Sequence, residues 1–420
     1  MLAHAAVGVT AAVVTAVAAP LVARLARRLG AVAEPPPGGG EPRRAVPSLG
    51  GLAMLLGFLA AIGLAALLPD FAPLFALSSE PIALVLGAVV IAAIGLIDDV
   101  LGLPATVKLA GQIVAALAVI LLGVELVFFW LPGFEMVALS SDLAMPLTLI
   151  ALVAMINALN LIDGLDGLAA GVAAIAALAF LAFTMSTQTA GLVEAVPISA
   201  SLVVAAVAGM SLGFLVHNWH PARLIMGDTG SMLLGLLLGA AGVSYVGRTV
   251  TPSAADFTGT LPLLIPALVL AIPFLDTVLA VVRRVVRRRP ITAGDRSHLH
   301  HQLLAFGRSH RRAVLVLYYW SALLAVGSVA PAYLPFAEVA PWLLVAVAVG
   351  VVFTVVGLLR SRRAAADHHD DEVADATAHP GEGSADPAAA AAPVLPGPGA
   401  VDAAGGAASM GANRGAEPGS

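Results

Sequence analysis

Apolar runs of roughly 17 to 25 residues recur along the chain, the length an α-helix needs to cross a hydrocarbon core of about 30 Å. About eleven such runs are predicted. They lie near residues 2–23, 48–68, 81–97, 107–123, 143–161, 165–185, 197–217, 229–246, 261–282, 313–334 and 338–359. The pattern is that of an all-α polytopic integral membrane protein. Alternating spans place the connections holding Arg24 to Arg44, Arg223, Arg283 to Arg312 and Arg360 to Arg363 on one side, and leave only Arg248 on the other. The second side holds Asp70, Glu80, Glu125, Glu135, Asp142, Glu194 and Asp256 instead. By the positive-inside tendency the basic side is cytoplasmic, which puts the N-terminus outside and the C-terminus inside. The first run has no basic leader and is followed by Arg24, Arg27 and Arg28, so it reads as a retained span and not as a secretory signal.

Composition narrows the chemistry. Of 420 residues, 60% are hydrophobic and 11% charged, and no soluble domain of this size buries so much apolar surface. There is no cysteine, hence no disulfide framework, thiolate nucleophile or thiolate metal site. The net charge of -5 comes from the tail: residues 364–420 hold nine Asp/Glu and one Arg, leaving 20 basic and 17 acidic residues in the body. Residues 1–363 are therefore expected to form the transmembrane domain that holds whatever site the chain has, and residues 364–420, rich in Ala, Gly, Pro and Asp, to be a disordered cytoplasmic tail. His368 and His369 in that tail, beside Asp370 and Asp371, read as a solvated polar run.

Four polar clusters interrupt the apolar runs, and the alternation puts all four on the cytoplasmic side. Charge is expensive in hydrocarbon, so such groups lie at the water boundary or have work to do. The central cluster, NALNLIDGLDGLAAG, spans Asn157 to Gly171 and holds Asn157, Asn160, Asp163 and Asp166. Asp163 and Asp166 are three apart, which places them on one face if a helix has begun. Gly164 and Gly167 allow close backbone approach to a ligand, and a helix start offers N–H groups to an anion. An N-cap plus a dipole-favoured acid explains one Asp, but not both together with two Asn.

The pair Asp98 and Asp99 ends the third run. Adjacent carboxylates repel, which suits them to proton abstraction or to sharing a cation; a helix-end marker is the plainer alternative. Lys108 downstream either meets a phosphate or snorkels to the boundary. In HNWHPARLIMGDTGSM, His217 to Met232, Asp228 precedes a Gly/Ser-rich helix start and is either a hard-oxygen ligand for Mg²⁺ or an ordinary cap. The fourth cluster, DRSHLHHQLLAFGRSHRR, carries His298, His300 and His301. Zinc is disfavoured because no fourth ligand stands at tidy spacing, so the three His read as donors to a diphosphate. Asp276, within the ninth run, has no assigned role.

Together the central cluster, the DD pair with its downstream KLAGQ, NWHPARLIMGDTGSM and HLHHQLL resemble the polyprenyl-phosphate N-acetylhexosamine-1-phosphate transferases, integral membrane enzymes of glycosyltransferase family 4. The resemblance runs from about Pro47 to the last span, with the motifs in order. HLHHQLL is more similar to the branch acting on UDP-GlcNAc than to the phospho-MurNAc-pentapeptide branch, whose His run is typically contiguous. The resemblance implies attack of a polyprenyl phosphate on the β-phosphate of UDP-GlcNAc, giving polyprenyl-diphosphate-GlcNAc and UMP, at the cytoplasmic face of a bacterial plasma membrane. It further implies Mg²⁺ as cofactor, with Mn²⁺ as substitute. Carried over by position, Asp98, Asp99, Asp163, His300 and His301 are catalytic, and Asp228 with Asp163 holds the metal. Lys108, Asn157, Asn160, Gly164, Leu165, Asp166, Asn218 and His298 bind substrate. No nucleic-acid partner is expected, and a homodimer is left open. The mechanism is read as direct attack, with Asp98 or Asp99 assisting the acceptor; a two-step route through a carboxylate nucleophile stays open.

The first cytoplasmic loop departs from the family. It reads EPPPGGGEPRRAVPSLGG, keeping a basic pair at Arg43 and Arg44 and a glycine pair at Gly50 and Gly51 but lacking the usual Asp and His. Two other classes compete. An intramembrane aspartyl protease has no use for the His cluster, and a cation-coupled transporter places its carboxylates nearer the bilayer middle, often in repeated halves.

Overall fold

The computed structural model describes residues 1–33, 45–129, 137–189, 198–248 and 310–356, apart from 336 and 355. The chain is mostly helical. Helix α1 spans Leu2–Leu29, α2 Gly50–Ala65, α3 Ala72–Leu77, α4 Glu80–Leu101 and α5 Ala105–Leu121. Helix α6 spans Ser141–Ile162, α7 Leu168–Thr189, α8 Ile198–Asn218, α9 Gly227–Arg248, α10 His310–Val329 and α11 Ala337–Thr354. Two short antiparallel strand pairs, β1 (Val32–Ala33) with β2 (Val46–Pro47) and β3 (Phe128–Phe129) with β4 (Val137–Ala138), and 3₁₀ turns at Pro69–Phe71 and Ala330–Ala332 accompany them.

Seven of the described helices are long and apolar enough to cross a membrane, and eight if α2 and the segment Pro69–Leu77, bent from it by 89°, count as one broken span. Pro69 at the start of that segment fits the break, since proline cannot continue a helix's hydrogen bonding. The protein is thus a multi-pass membrane protein. Helices α5 and α9 coincide with predicted runs, whereas the run near 261–282 and the tail from residue 364 lie outside the described residues.

Small residues bring the helices together, because lipid supplies little hydrophobic drive for helix association and close backbone approach supplies dispersion instead. Helix α1 buries Ala3, Val7, Ala11, Thr15, Ala19, Val22 and Ala26, spaced by three or four along one face. It packs on α8, where a side chain at Gly209 or Gly213 would overlap the backbone of Gly8 or Ala12. Helix α9 is surrounded by α2, α4, α6 and α8 and is buried over most of its length, as Leu233, Leu234, Leu236 and Leu237 show. Helix α11 instead exposes Trp342, Leu344 and Phe353, an apolar face suited to lipid tails.

Two contacts fix the start of α9. A side chain at Gly51 of α2 would overlap Gly230, and one at Gly95 of α4 would overlap Thr229. The chain before α2 is also joined to the chain before α9: Ile225 N–H donates to Pro47 O (2.8 Å), Gly50 N–H to Ile225 O (2.9 Å) and Gly51 N–H to Met226 O (2.8 Å). The N-terminus of α9 is therefore held in place between α2 and α4.

Candidate functional site

Around the start of α9 the structure assembles residues from three distant segments. Lys108 of α5 lies between two carboxylates, with Nζ 3.0 Å from Asp98 Oδ2 and paired directly to Asp228 Oδ2. The other Asp98 oxygen accepts the backbone N–H of Leu103 at 2.6 Å. Asp99, one residue on and turned by about 100° around the helix, faces elsewhere. Its Oδ1 accepts the N–H of Asp228 at 2.8 Å; its Oδ2 accepts the N–H of Thr229 at 3.1 Å and the Thr229 hydroxyl at 2.6 Å. The two adjacent acids have different neighbours. The cap on α9 is Asp99, supplied by another helix, and Asp228 sits within the first turn with its carboxylate on Lys108.

Asp163 and Asp166 do not lie on a helix face. Helix α6 ends at Ile162 and α7 begins at Leu168, so both acids occupy the intervening turn, which Gly167 closes with φ 81°. The helical spacing expected of them fails because the turn chemistry of Asp-Gly-Leu-Asp-Gly overrides the apolar period on either side. Asp163 is half-buried, and among the described residues no donor or cation pairs with its carboxylate. Burial, then the charges of Asp228, Asp99 and Asp166, push its pKa well above the ordinary carboxylate range. A crowd of carboxylates with one lacking a partner is the environment a divalent cation relieves. The donors are hard oxygens, which fits Mg²⁺. Asp228 and Asp163 are the carboxylates that could hold such an ion.

Asp166 is engaged by its surroundings. Its Oδ2 accepts from His220 Nδ1 at 2.7 Å and from the N–H of Ala222 at 3.2 Å. The His220 ring stacks on that of His310, with centroids 4.1 Å apart and planes 16° from parallel. Asp166, His220 and His310 present ligand atoms within 4.8 Å of one another. Parallel stacked rings cannot both place one ion in their planes, so as they stand they form a latch between the 163–167 turn, the 219–226 connection and α10. Arg311 donates to His220 O at 3.1 Å, and the Tyr318 hydroxyl donates to Gly167 O.

Two residues expected to bind substrate have hydrogen-bond partners within the protein. Asn157 donates to Gln112 Oε1 at 2.7 Å and to Val153 O at 2.8 Å, forming an amide pair that joins α6 to α5. Asn218 is 3% exposed; its Oδ1 accepts from Gly167 N–H at 2.9 Å and its Nδ2 donates to Leu224 O at 3.0 Å. Both amides hold backbone and helices in place because each is satisfied within the protein. Asn160 is half-buried with no side-chain partner among the described residues, and Gly164 is exposed beside buried Leu165. His298, His300, His301, Asp276, Arg43 and Arg44 lie outside the described residues. Sequence reading assigned no role to His220, Gln112, His310 and Tyr318, whose roles depend on contacts between segments far apart in the chain; the first three stood inside quoted motifs, and Tyr318 did not.

Residues 81–246 match the family model described as Glycosyl transferase family 4. The chain is 40% identical over 365 residues to a decaprenyl-phosphate N-acetylglucosaminephosphotransferase of Mycolicibacterium smegmatis, covering 84% of this chain and 88% of that protein. It is 33% identical over 299 residues to a probable undecaprenyl-phosphate N-acetylglucosaminyl 1-phosphate transferase of Bacillus subtilis, covering 71% and 76%. A putative phospho-N-acetylmuramoyl-pentapeptide-transferase of Methanothermobacter thermautotrophicus matches over 122 residues at 35% identity, covering 29% and 28%.

Proposed function

The chain belongs to glycosyl transferase family 4, within the polyprenyl-phosphate N-acetylglucosamine-1-phosphate transferases, and on that premise we propose the reaction it performs. A polyprenyl phosphate oxygen attacks the β-phosphorus of UDP-GlcNAc and the bond to the bridging oxygen breaks. The products are polyprenyl-diphosphate-GlcNAc and UMP, in a membrane step of cell-envelope polymer synthesis. The observation that carries this reading is the convergence of Asp98, Lys108, Asp163 and Asp228, from three remote segments, at one end of the helix bundle. The pentapeptide branch is disfavoured by the short extent of its match.

Phosphoryl transfer between two anions needs positioning and charge neutralisation more than covalent chemistry. We assign Asp98 to the acceptor phosphate, to take its proton as the attack begins. Both Asp99 oxygens are held by the start of α9, whereas Asp98 shares a lysine whose long side chain can exchange partners. Lys108 contributes positive charge to the phosphates in exchange for its carboxylate partners. Asp228 and Asp163 would hold the divalent ion, magnesium or manganese. When bound, that ion screens the diphosphate and stabilises the charge developing on UMP. The Gly164 turn with Asn160 lines the nucleotide side, and His298, His300 and His301 supply donors to the diphosphate. With eleven spans and the N-terminus outside, this end of the bundle faces the cytoplasm, where the sugar nucleotide is made.

Purified protein in detergent, given radiolabelled UDP-GlcNAc, Mg²⁺ and polyprenyl phosphate, is expected to release UMP and label the lipid in equal amounts. Asp228→Asn should cut turnover by about 100-fold or more, the weight of a lost metal ligand. UMP release without lipid labelling, or full turnover in Asp228→Asn, would overturn the reading.

A further inference from the structure

We infer that Asp99 is a positioning residue: a helix cap delivered from α4 that fixes the first turn of α9, so that the Asp228 carboxylate points at Asp98 and Lys108. The inference rests on the transferase reading for its activity arm only. A helix start leaves four backbone N–H groups without partners inside the helix, and a carboxylate there satisfies them and meets the positive end of the dipole. In α9 the carboxylate comes from a neighbouring helix. It takes the N–H groups of Asp228 and Thr229 and the Thr229 hydroxyl, three donors on two oxygens.

The surroundings are shaped to this contact. Gly95 stands four residues before Asp99 on the same face of α4, and a side chain there would overlap Thr229. Gly227 has φ 73°, and a Cβ on it would meet both the Asp99 carboxylate and the Ser48 carbonyl. The two glycines admit the start of α9 on either side of the cap, and Asp99 closes it. The adjacent Asp98 faces Lys108 and the N–H of Leu103, so the DD pair divides into one group at the reacting charges and one group that holds a ligand's backbone. The carboxylate of Asp228 is held by Lys108, which Asp98 shares, and its N–H by Asp99.

The test compares Asp99→Asn, Thr229→Val and Thr229→Ser with Asp98→Asn in the purified full-length protein. Hydrogen exchange at the amides of residues 227–230, without substrate, should quicken by about fivefold to tenfold in Asp99→Asn and Thr229→Val, the weight of one cap. Exchange there should stay as in wild type in Asp98→Asn, and Thr229→Ser should recover most of what Thr229→Val loses. In turnover, Asp99→Asn should raise the apparent Mg²⁺ constant several-fold while saturating Mg²⁺ restores most of kcat and the acidic limb of the kcat pH profile persists. Asp98→Asn should lose kcat at any Mg²⁺ concentration. The inference is overturned if Asp99→Asn abolishes kcat at saturating Mg²⁺ with exchange at 227–230 unchanged, or if Thr229→Val leaves both exchange and the Mg²⁺ constant unchanged. Thr229→Val supplies the exchange test if Asp99→Asn does not fold. Absence of UMP release by wild type would defeat the transferase reading and leave the exchange result standing.

Discussion

Asp163 shows how strongly one carboxylate can be governed by its neighbours. It sits half-buried in the 163–167 turn with no partner among the described residues, within reach of the charges on Asp228, Asp99 and Asp166. An ionised group so placed is held against its own preference, as functional carboxylates often are. Asp163→Asn keeps the shape and removes the repulsion. Thermal unfolding in detergent without divalent ion should therefore show it as stable as wild type or more so, while turnover falls by about 100-fold. A destabilised variant with wild-type turnover would make Asp163 an ordinary turn residue. The acids were legible in the sequence because charge in so apolar a chain stands out. Their division of labour was not: Asp98 and Asp99 are neighbours in sequence, and only the packing of Gly95 on Thr229 shows which of them faces the helix start. Asn157 stood out as part of the polar central cluster, and Asn218 was carried over by position from the family resemblance. Their amides instead satisfy Gln112 and the backbone, since a buried polar group needs a partner whether or not it meets a substrate.

At the scale of elements, the site depends on two packings that carry no chemistry. Helix α10 holds the 163–167 turn through the Tyr318 hydroxyl on Gly167 O, and a side chain at Gly171 would overlap the tyrosine ring. Tyr318→Phe keeps the ring and removes the donor. It should lower stability by about 1 kcal/mol and raise KM for UDP-GlcNAc more than it lowers kcat, which steady-state kinetics would show; unchanged KM would mean the turn holds without it. The second packing is α1 against α8, where Gly209 meets the Gly8 backbone and neither chain can yield. Gly209→Val should separate the helices and reduce folded yield and melting temperature in detergent, whereas the same change at Gly63, which has open space around it, should not. Several helix positions could be read from apolar run lengths, as the runs near 143–161 and 165–185 correspond to α6 and α7, but no run announced α3 or the bend after α2. Helix ends could not, because caps and turns such as Asp163 to Gly167 follow local polar chemistry and not the apolar period.

Over the whole molecule, the account requires the turns after α4, α6 and α8 to share one face of the bilayer. The structure brings these turns together around the start of α9, while the far ends of α4 and α5 lie a helix length away. The chain has no cysteine, so single cysteines report without background. Exposed positions near the site end are Leu101, 74% exposed, and Arg223; near the opposite end are Leu77, 86% exposed, and Leu121, 71% exposed. The decisive measurement is labelling of each single-cysteine variant by a membrane-impermeant maleimide in right-side-out and inverted vesicles. Cysteines at 101, 164 and 223 should react only in inverted vesicles, and those at 77 and 121 only in right-side-out ones. Reaction of 101, 164 and 223 from different sides would separate the acids across the membrane and contradict a single phosphoryl-transfer site.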